Sequence, residues 1–136
     1  MKNLDIRWKQ RFQNYDKALN YLELALKIEN PDIVQKAGII QFFEMSFELA
    51  WNVVKDFLED QGFTDVKTPR AALKKGFEIN LISNGHDWME LLQDRNLSAH
   101  TYDEQKASEL EQLIHHKYFP LLKNLHLTFR NKLNEK

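Results

Sequence analysis

Apolar side chains recur along most of this chain at intervals of three and four residues, the repeat of a helix with one buried face. Trp8, Phe12, Tyr15, Leu19, Leu22 and Leu26 form the first stripe, which predicts a helix of about six turns. Asn30-Pro31-Asp32 ends it and opens the next, with Asn30 as the expected N-cap and Pro31 at the first helical position. Ile33, Ala37, Ile40, Phe43, Phe47, Ala50, Trp51, Val54, Phe57 and Leu58 keep helical spacing but cover a wide arc. That helix is expected to be central, touching neighbours on more than one side. Gln61-Gly62 closes it, and Thr68-Pro69 opens a shorter helix running through Ala71, Ala72, Leu73 and Phe77 to about Asn80. After the Ser83-Asn84-Gly85 break, Trp88, Leu91 and Leu92 give a fourth stripe from His86 to about Leu97. Thr101-Tyr-Asp-Glu104 reads as a capping box with Thr101 at the N-cap. It starts a last long helix through Leu110, Leu113, Ile114, Tyr118, Leu121, Leu122, Leu125 and Phe129, which Pro120 kinks without ending. The expected fold is all-α: four long or medium helices plus a short one, in a single domain over residues 1–136 with no repeat, low-complexity tract or linker.

Composition agrees. With 136 residues the chain is large enough to bury a core without staples. Four Gly and three Pro leave few breaks, against the many turns of a β-sandwich or barrel. The absence of Cys excludes disulfides, thiolate metal sites and cysteine nucleophiles. No apolar run reaches the length of a membrane span, and Met1–Ile6 lacks the apolar core of a signal peptide, so a soluble cytoplasmic protein is expected.

Charge changes the picture more. Lys and Arg number 19 against 20 Asp and Glu, a net −1 that argues against nucleic acid until it is read by segment. The stretch 66–75 carries Lys67, Arg70, Lys74 and Lys75 with no acid, and both chain ends are basic, whereas 44–65 and 87–112 are acidic. A basic face assembled from separate segments stands against an ordinary solvated surface.

Most catalytic signatures are missing: no Gly-rich phosphate loop, nucleophile elbow or zinc-binding histidine pair is present. His115 and His116 are adjacent, so a helix points them about 100° apart. His86 and His126 have no convergent partner in sequence. Glu44 and Glu48, one turn apart, suit a metal or an acid–base pair, and equally a polar edge or a salt bridge to the first helix. Arg95 falls three and four residues after Leu92 and Leu91, so it projects from the apolar stripe and needs an anionic partner. On one continuous α-helix His100 would be about 140° away, but the capping box implies a chain break between them, and the turn can bring His100 back beside Arg95. Arg95, His100, the N–H groups opening the last helix and the Tyr102 hydroxyl then converge on one volume. Such a set suits a phosphodiester, with Arg on the non-bridging oxygens and His moving a proton. The alternative reading pairs Arg95 with Asp94, Glu44 or Glu48 and leaves His100 as a helix cap.

At these residues the sequence resembles the HEPN superfamily, whose signature is Arg, four to six residues, then His. More narrowly it resembles the HepT-like branch with Arg, four residues, His, one residue, Tyr: here Arg95, His100 and Tyr102. The likeness extends to Phe43-Glu44…Phe47-Glu48-Leu49-Ala50-Trp51, Thr68-Pro69-Arg70, and Trp88…Asp94-Arg95-Asn96-Leu97-Ser98-Ala99-His100-Thr101-Tyr102-Asp103. It implies an up-and-down helical bundle that forms a homodimer with the two Arg/His pairs near one another. It further implies a metal-independent ribonuclease toxin needing no cofactor, with Asn96 orienting the site and RNA, tRNA among the candidates, as substrate. The implied partner is a small nucleotidyltransferase, the MntA-like antitoxin, which transfers AMP to Tyr102. Lys67, Arg70, Lys74 and Lys75 are the candidate RNA backbone contacts, set against the acidic run around the motif. Two other readings stay open: a non-catalytic substrate-binding subunit of a two-component nucleotidyltransferase, and a plain structural bundle.

Overall fold

The computed structural model describes residues 2–100 and 103–135, without the side chains of residues 2–5 and His100. Among the described residues every regular element is helical. They are α1 (Lys2–Leu26), α2 (Ile33–Asp60), α3 (Pro69–Glu78), α4 (Gly85–Asp94), a 3-10 segment (Arg95–His100), α5 (Glu104–Leu113), a π-turn (Ile114–Tyr118) and α6 (Phe119–Leu133). No helix is long and apolar enough to cross a membrane.

The wide apolar arc of α2 has the expected consequence. This helix packs on α1, α3, α5 and α6, and its Ile39, Ile40, Phe43, Phe47, Val53, Val54 and Leu58 are fully buried. The predicted stripe of α1 is buried from Trp8 to Leu22 and partly buried at Leu26, and the Tyr15 hydroxyl donates to the Leu122 carbonyl, tying α1 to α6. Burial pushes the Tyr15 phenol above its ordinary range, so it stays a donor. Trp8, Phe57 and Phe129 meet with ring centroids 5.4–5.6 Å apart and close the end of the bundle where α2 finishes.

Several boundaries differ from the sequence reading. Asp32, not Asn30, caps α2: its carboxylate accepts from the Gln35 N–H while the Gln35 side chain bonds back to Asp32, so the helix starts after Pro31. Asn30 takes a left-handed φ of 50° in the turn instead. The Gln61-Gly62 stop and the Thr68-Pro69 start are as expected, Gly62 adopting φ 94° and Thr68 accepting from the Ala71 N–H. As predicted, Pro120 does not end the last helical rod, which runs on through Leu133. The preceding turn widens to a π-turn in which the Phe119 N–H reaches the Ile114 carbonyl five residues back, so the rod absorbs a residue that has no N–H of its own.

Sequence reasoning found no partner for His126, because the partner is more than a hundred residues away. Its Nε2 lies 2.7 Å from Asp16 Oδ1, its ring stacks on Phe12 at 4.9 Å, and Arg130 holds the same carboxylate at 3.0 Å. Burial lowers the His126 pKa, and Asp16 only partly offsets this. Between that depressed value and about 6.5 the unfolded chain binds the proton more tightly, so stability falls as the pH drops. We expect the thermal midpoint to fall from pH 7.5 to 5.5 more steeply in the wild type than in His126→Gln. Parallel pH profiles would show that His126 does not contribute.

Candidate functional site

The candidate site forms where α4 changes its winding. The fourth stripe does not run on as an α-helix to Leu97; it ends at Asp94 and continues to His100 with three residues per turn. Residues three apart then lie over one another, so Arg95 and Ser98 point the same way, towards α2. Arg95 Nη1 donates to Glu48 Oε2 at 2.9 Å, and the Ser98 hydroxyl donates to Glu44 Oε2. The second oxygen of Glu48 accepts from Trp51 Nε1 at 3.0 Å. Beneath the pair, the Arg95 guanidinium sits over the Phe47 ring with its carbon 5.4 Å from the centroid. Phe47 in turn packs on Trp88, so the base of the site is continuous with the core.

One residue earlier, Asp94 accepts from the Tyr118 hydroxyl. The Tyr118 ring is buried, stacked at 5.9 Å on Phe43. Burial, reinforced by the Asp94 carboxylate, drives its pKa far above the usual phenol range, so the proton stays on the oxygen that donates. The start of the 3-10 segment is thus fixed to α2 through Arg95 and to the π-turn through Asp94.

Arg95 therefore has the anionic partner its position demanded, and that partner is Glu48. Glu44 and Glu48 bond to the 3-10 segment, not to α1, and among the described residues no cluster of three or more metal-ligating side chains forms. Asn96 is exposed on the same segment. Tyr102 and the expected N-cap Thr101 lie outside the described residues, as does the His100 side chain. The break expected between Arg95 and His100 is absent: the segment is continuous, and its winding sets the His100 position about 120° from Arg95 around the axis.

A further expectation is corrected at the start of α5. Asp103 is its N-cap, and the carboxylate accepts from the Gln105 and Lys106 N–H groups at 3.1 and 3.2 Å. Those donors, expected to be open to an anionic ligand, are already occupied by an anion of the chain itself.

Of the four basic residues in 66–75, Lys67 bonds to Glu59 at 2.8 Å and Lys75 to Glu78 at 2.8 Å, with Lys75 Nζ also over the Phe63 ring. Lys74 and Lys75 line a hollow with Gly62, Phe63 and Asp65 past the end of α2. Glu59 is eleven residues beyond Glu48, about 16 Å along the helix. Arg7 and Arg11 reach Glu59 and Asp56 at that same end. Arg70 instead reaches α4, its Nη1 3.8 Å from Met89 Sδ. Acidic groups near the site have basic partners of their own, Lys117 lying 3.6 Å from Asp87 and bonding to Glu90.

Comparison with known proteins agrees with this architecture. The probable ribonuclease HepT of Haemophilus influenzae is 32% identical over 90 residues, a region covering 57% of this chain and 58% of that protein. A crystal structure from Thermus thermophilus superposes with a TM-score of 0.73 at 25% identity, over 89% of this chain and 99% of that one. A second structure, from Haemophilus influenzae, is described as having the fold of a substrate binding domain of a nucleotidyltransferase. It superposes with a TM-score of 0.66 at 24% identity, over 93% of this chain and 98% of that one, a likeness of fold. The profile of the family described as nucleotidyltransferase substrate binding protein like matches residues 10–131, nearly the whole helical bundle, and the chain belongs to that family.

Proposed function

We propose that this chain is a metal-independent ribonuclease, the toxin half of a two-component system, in which Arg95 grips a phosphodiester and His100 moves the proton. The observation that carries this reading is the setting of Arg95. Its guanidinium lies over the Phe47 ring and is held by one nitrogen on Glu48, is still 28% exposed, and belongs to the segment that runs directly into His100. A guanidinium tethered at one nitrogen but open to solvent is a preorganised phosphate clamp. His100 as general base takes the proton of the RNA 2′-OH. The 2′-oxygen then bonds to phosphorus, the phosphorus–5′-oxygen bond breaks, and the departing oxygen takes up a proton. Asn96 orients the site, and Arg70, Lys67, Lys74 and Lys75 hold more distant phosphates. The protein acts as a homodimer, and its partner is a small nucleotidyltransferase of the MntA-like antitoxin type. Transfer of AMP to Tyr102 would switch the site off by bulk and added negative charge.

A second reading, a non-catalytic substrate-binding subunit for that nucleotidyltransferase, is favoured by one observation: Lys67, Arg7 and Arg11 are paired with acids at the far end of α2, while Glu44, Glu48 and Asp94 crowd the motif. Incubation of the purified protein with total RNA or tRNA in excess chelator separates the two. The ribonuclease reading expects fragments ending in 2′,3′-cyclic phosphate with 5′-hydroxyl partners. Intact RNA, with co-purification of the nucleotidyltransferase and no growth defect on expression, would replace it with the second.

A further inference from the structure

The two carboxylates that meet the 3-10 segment match it in register. Glu44 and Glu48 are four residues apart on an α-helix, a rise of about 6 Å. Arg95 and Ser98 are three apart on a 3-10 helix, also about 6 Å, and eclipsed. Paired in opposite order, Arg95 with Glu48 and Ser98 with Glu44, the two rows fit rung to rung. Had α4 continued as an α-helix, the rise from Arg95 to Ser98 would be about 4.5 Å and their directions about 60° apart, so one rung would open. A 3-10 helix is the less favourable winding, and runs longer than three or four residues are uncommon, so six residues of it need an outside restraint. Glu48 is itself immobilised by Trp51, which is 8% exposed.

We propose that Glu44 and Glu48 form a carboxylate clip that holds the Arg95–His100 segment in its 3-10 winding, and that both are positioning residues for the site. The clip tethers the guanidinium through Glu48, and through Ser98 it sets the backbone leading to His100. Its catalytic consequence rests on the ribonuclease reading; its conformational consequence does not.

The test therefore has two readouts in the full-length protein. The first is amide hydrogen exchange across residues 95–100 in Ser98→Ala, Glu44→Ala, the double variant and Glu48→Ala. Loss of the Ser98–Glu44 rung is expected to speed exchange there about tenfold, and loss of the more exposed Arg95–Glu48 rung about two- to fivefold, while amides of the α2 core keep wild-type protection. The second is RNA cleavage. We expect Ser98→Ala and Glu44→Ala each to lower kcat about tenfold to a hundredfold with little change in KM, since the reacting groups are displaced and not removed. The double variant is expected to be no worse than the poorer single one, and Ser98→Thr and Glu44→Gln to restore most of the rate. Unchanged exchange at 95–100 overturns the clip whether or not the protein cuts RNA. Faster exchange with a full cleavage rate overturns the positioning role. Faster exchange in a protein whose wild type leaves RNA intact supports the clip and removes the ribonuclease reading.

Discussion

Replacing Arg95 with alanine is expected to lower RNA cleavage about 100- to 1,000-fold, the usual loss when one preorganised donor to a developing oxyanion is removed. Stability is expected to change far less. Glu48 is half exposed, so its pair with Arg95 is worth less than about 1 kcal/mol, and a carboxylate left behind in water costs little. Arg95→Lys is an informative intermediate: it keeps the positive charge but has no flat surface to lie on Phe47 and no fork for two phosphate oxygens. A cleavage rate between wild type and alanine is expected for it. Single-turnover rates, with denaturant midpoints from the same preparations, separate the two effects. Equal losses of rate and stability would mean that Arg95 is a packing residue.

Phe47→Ala carries the largest expected cost in stability. The ring is fully buried, faces Trp88 at a centroid distance of 6.4 Å and supports the guanidinium. Truncation leaves a cavity at the junction of α2 and α4, expected to cost about 3–5 kcal/mol. Phe47→Leu keeps most of the volume and is expected to cost less than about 1.5 kcal/mol while still removing the aromatic face under Arg95. Denaturant unfolding of both variants checks the ordering. A loss in Phe47→Ala no larger than in Phe47→Leu would show that the ring does not bind the site to the core.

The helices were legible because the burial that makes them is periodic in the chain: the stripe Trp8 to Leu22, most of the wide arc of α2 and the spacing across Pro120 correspond to buried faces. Their ends were less so. At Asn30-Pro31-Asp32 and at Thr101-Tyr102-Asp103 more than one residue has capping chemistry, and the choice of Asp32 and Asp103 depends on where the neighbouring helices let the chain turn. That Arg95 would point inward with an acidic partner followed from Leu91 and Leu92. The identity of the partner, the Ser98 to Glu44 contact and the change of winding after Asp94 did not, because each depends on the register between α2 and a segment about fifty residues away. The Asp16–His126–Arg130 cluster is hidden for the same reason. Arg95 and its need for an acidic partner are thus legible in the sequence, and the geometry around it emerges from packing.

The central claim is that Arg95 and His100 together cleave RNA, and cleavage by wild type and His100→Ala side by side in excess chelator tests it most directly. Removal of a general acid–base group costs about 100- to 10,000-fold, so the wild type is expected to fragment RNA while His100→Ala, folded to the same thermal midpoint, leaves it essentially intact. Equal cleavage by the two proteins would contradict the account.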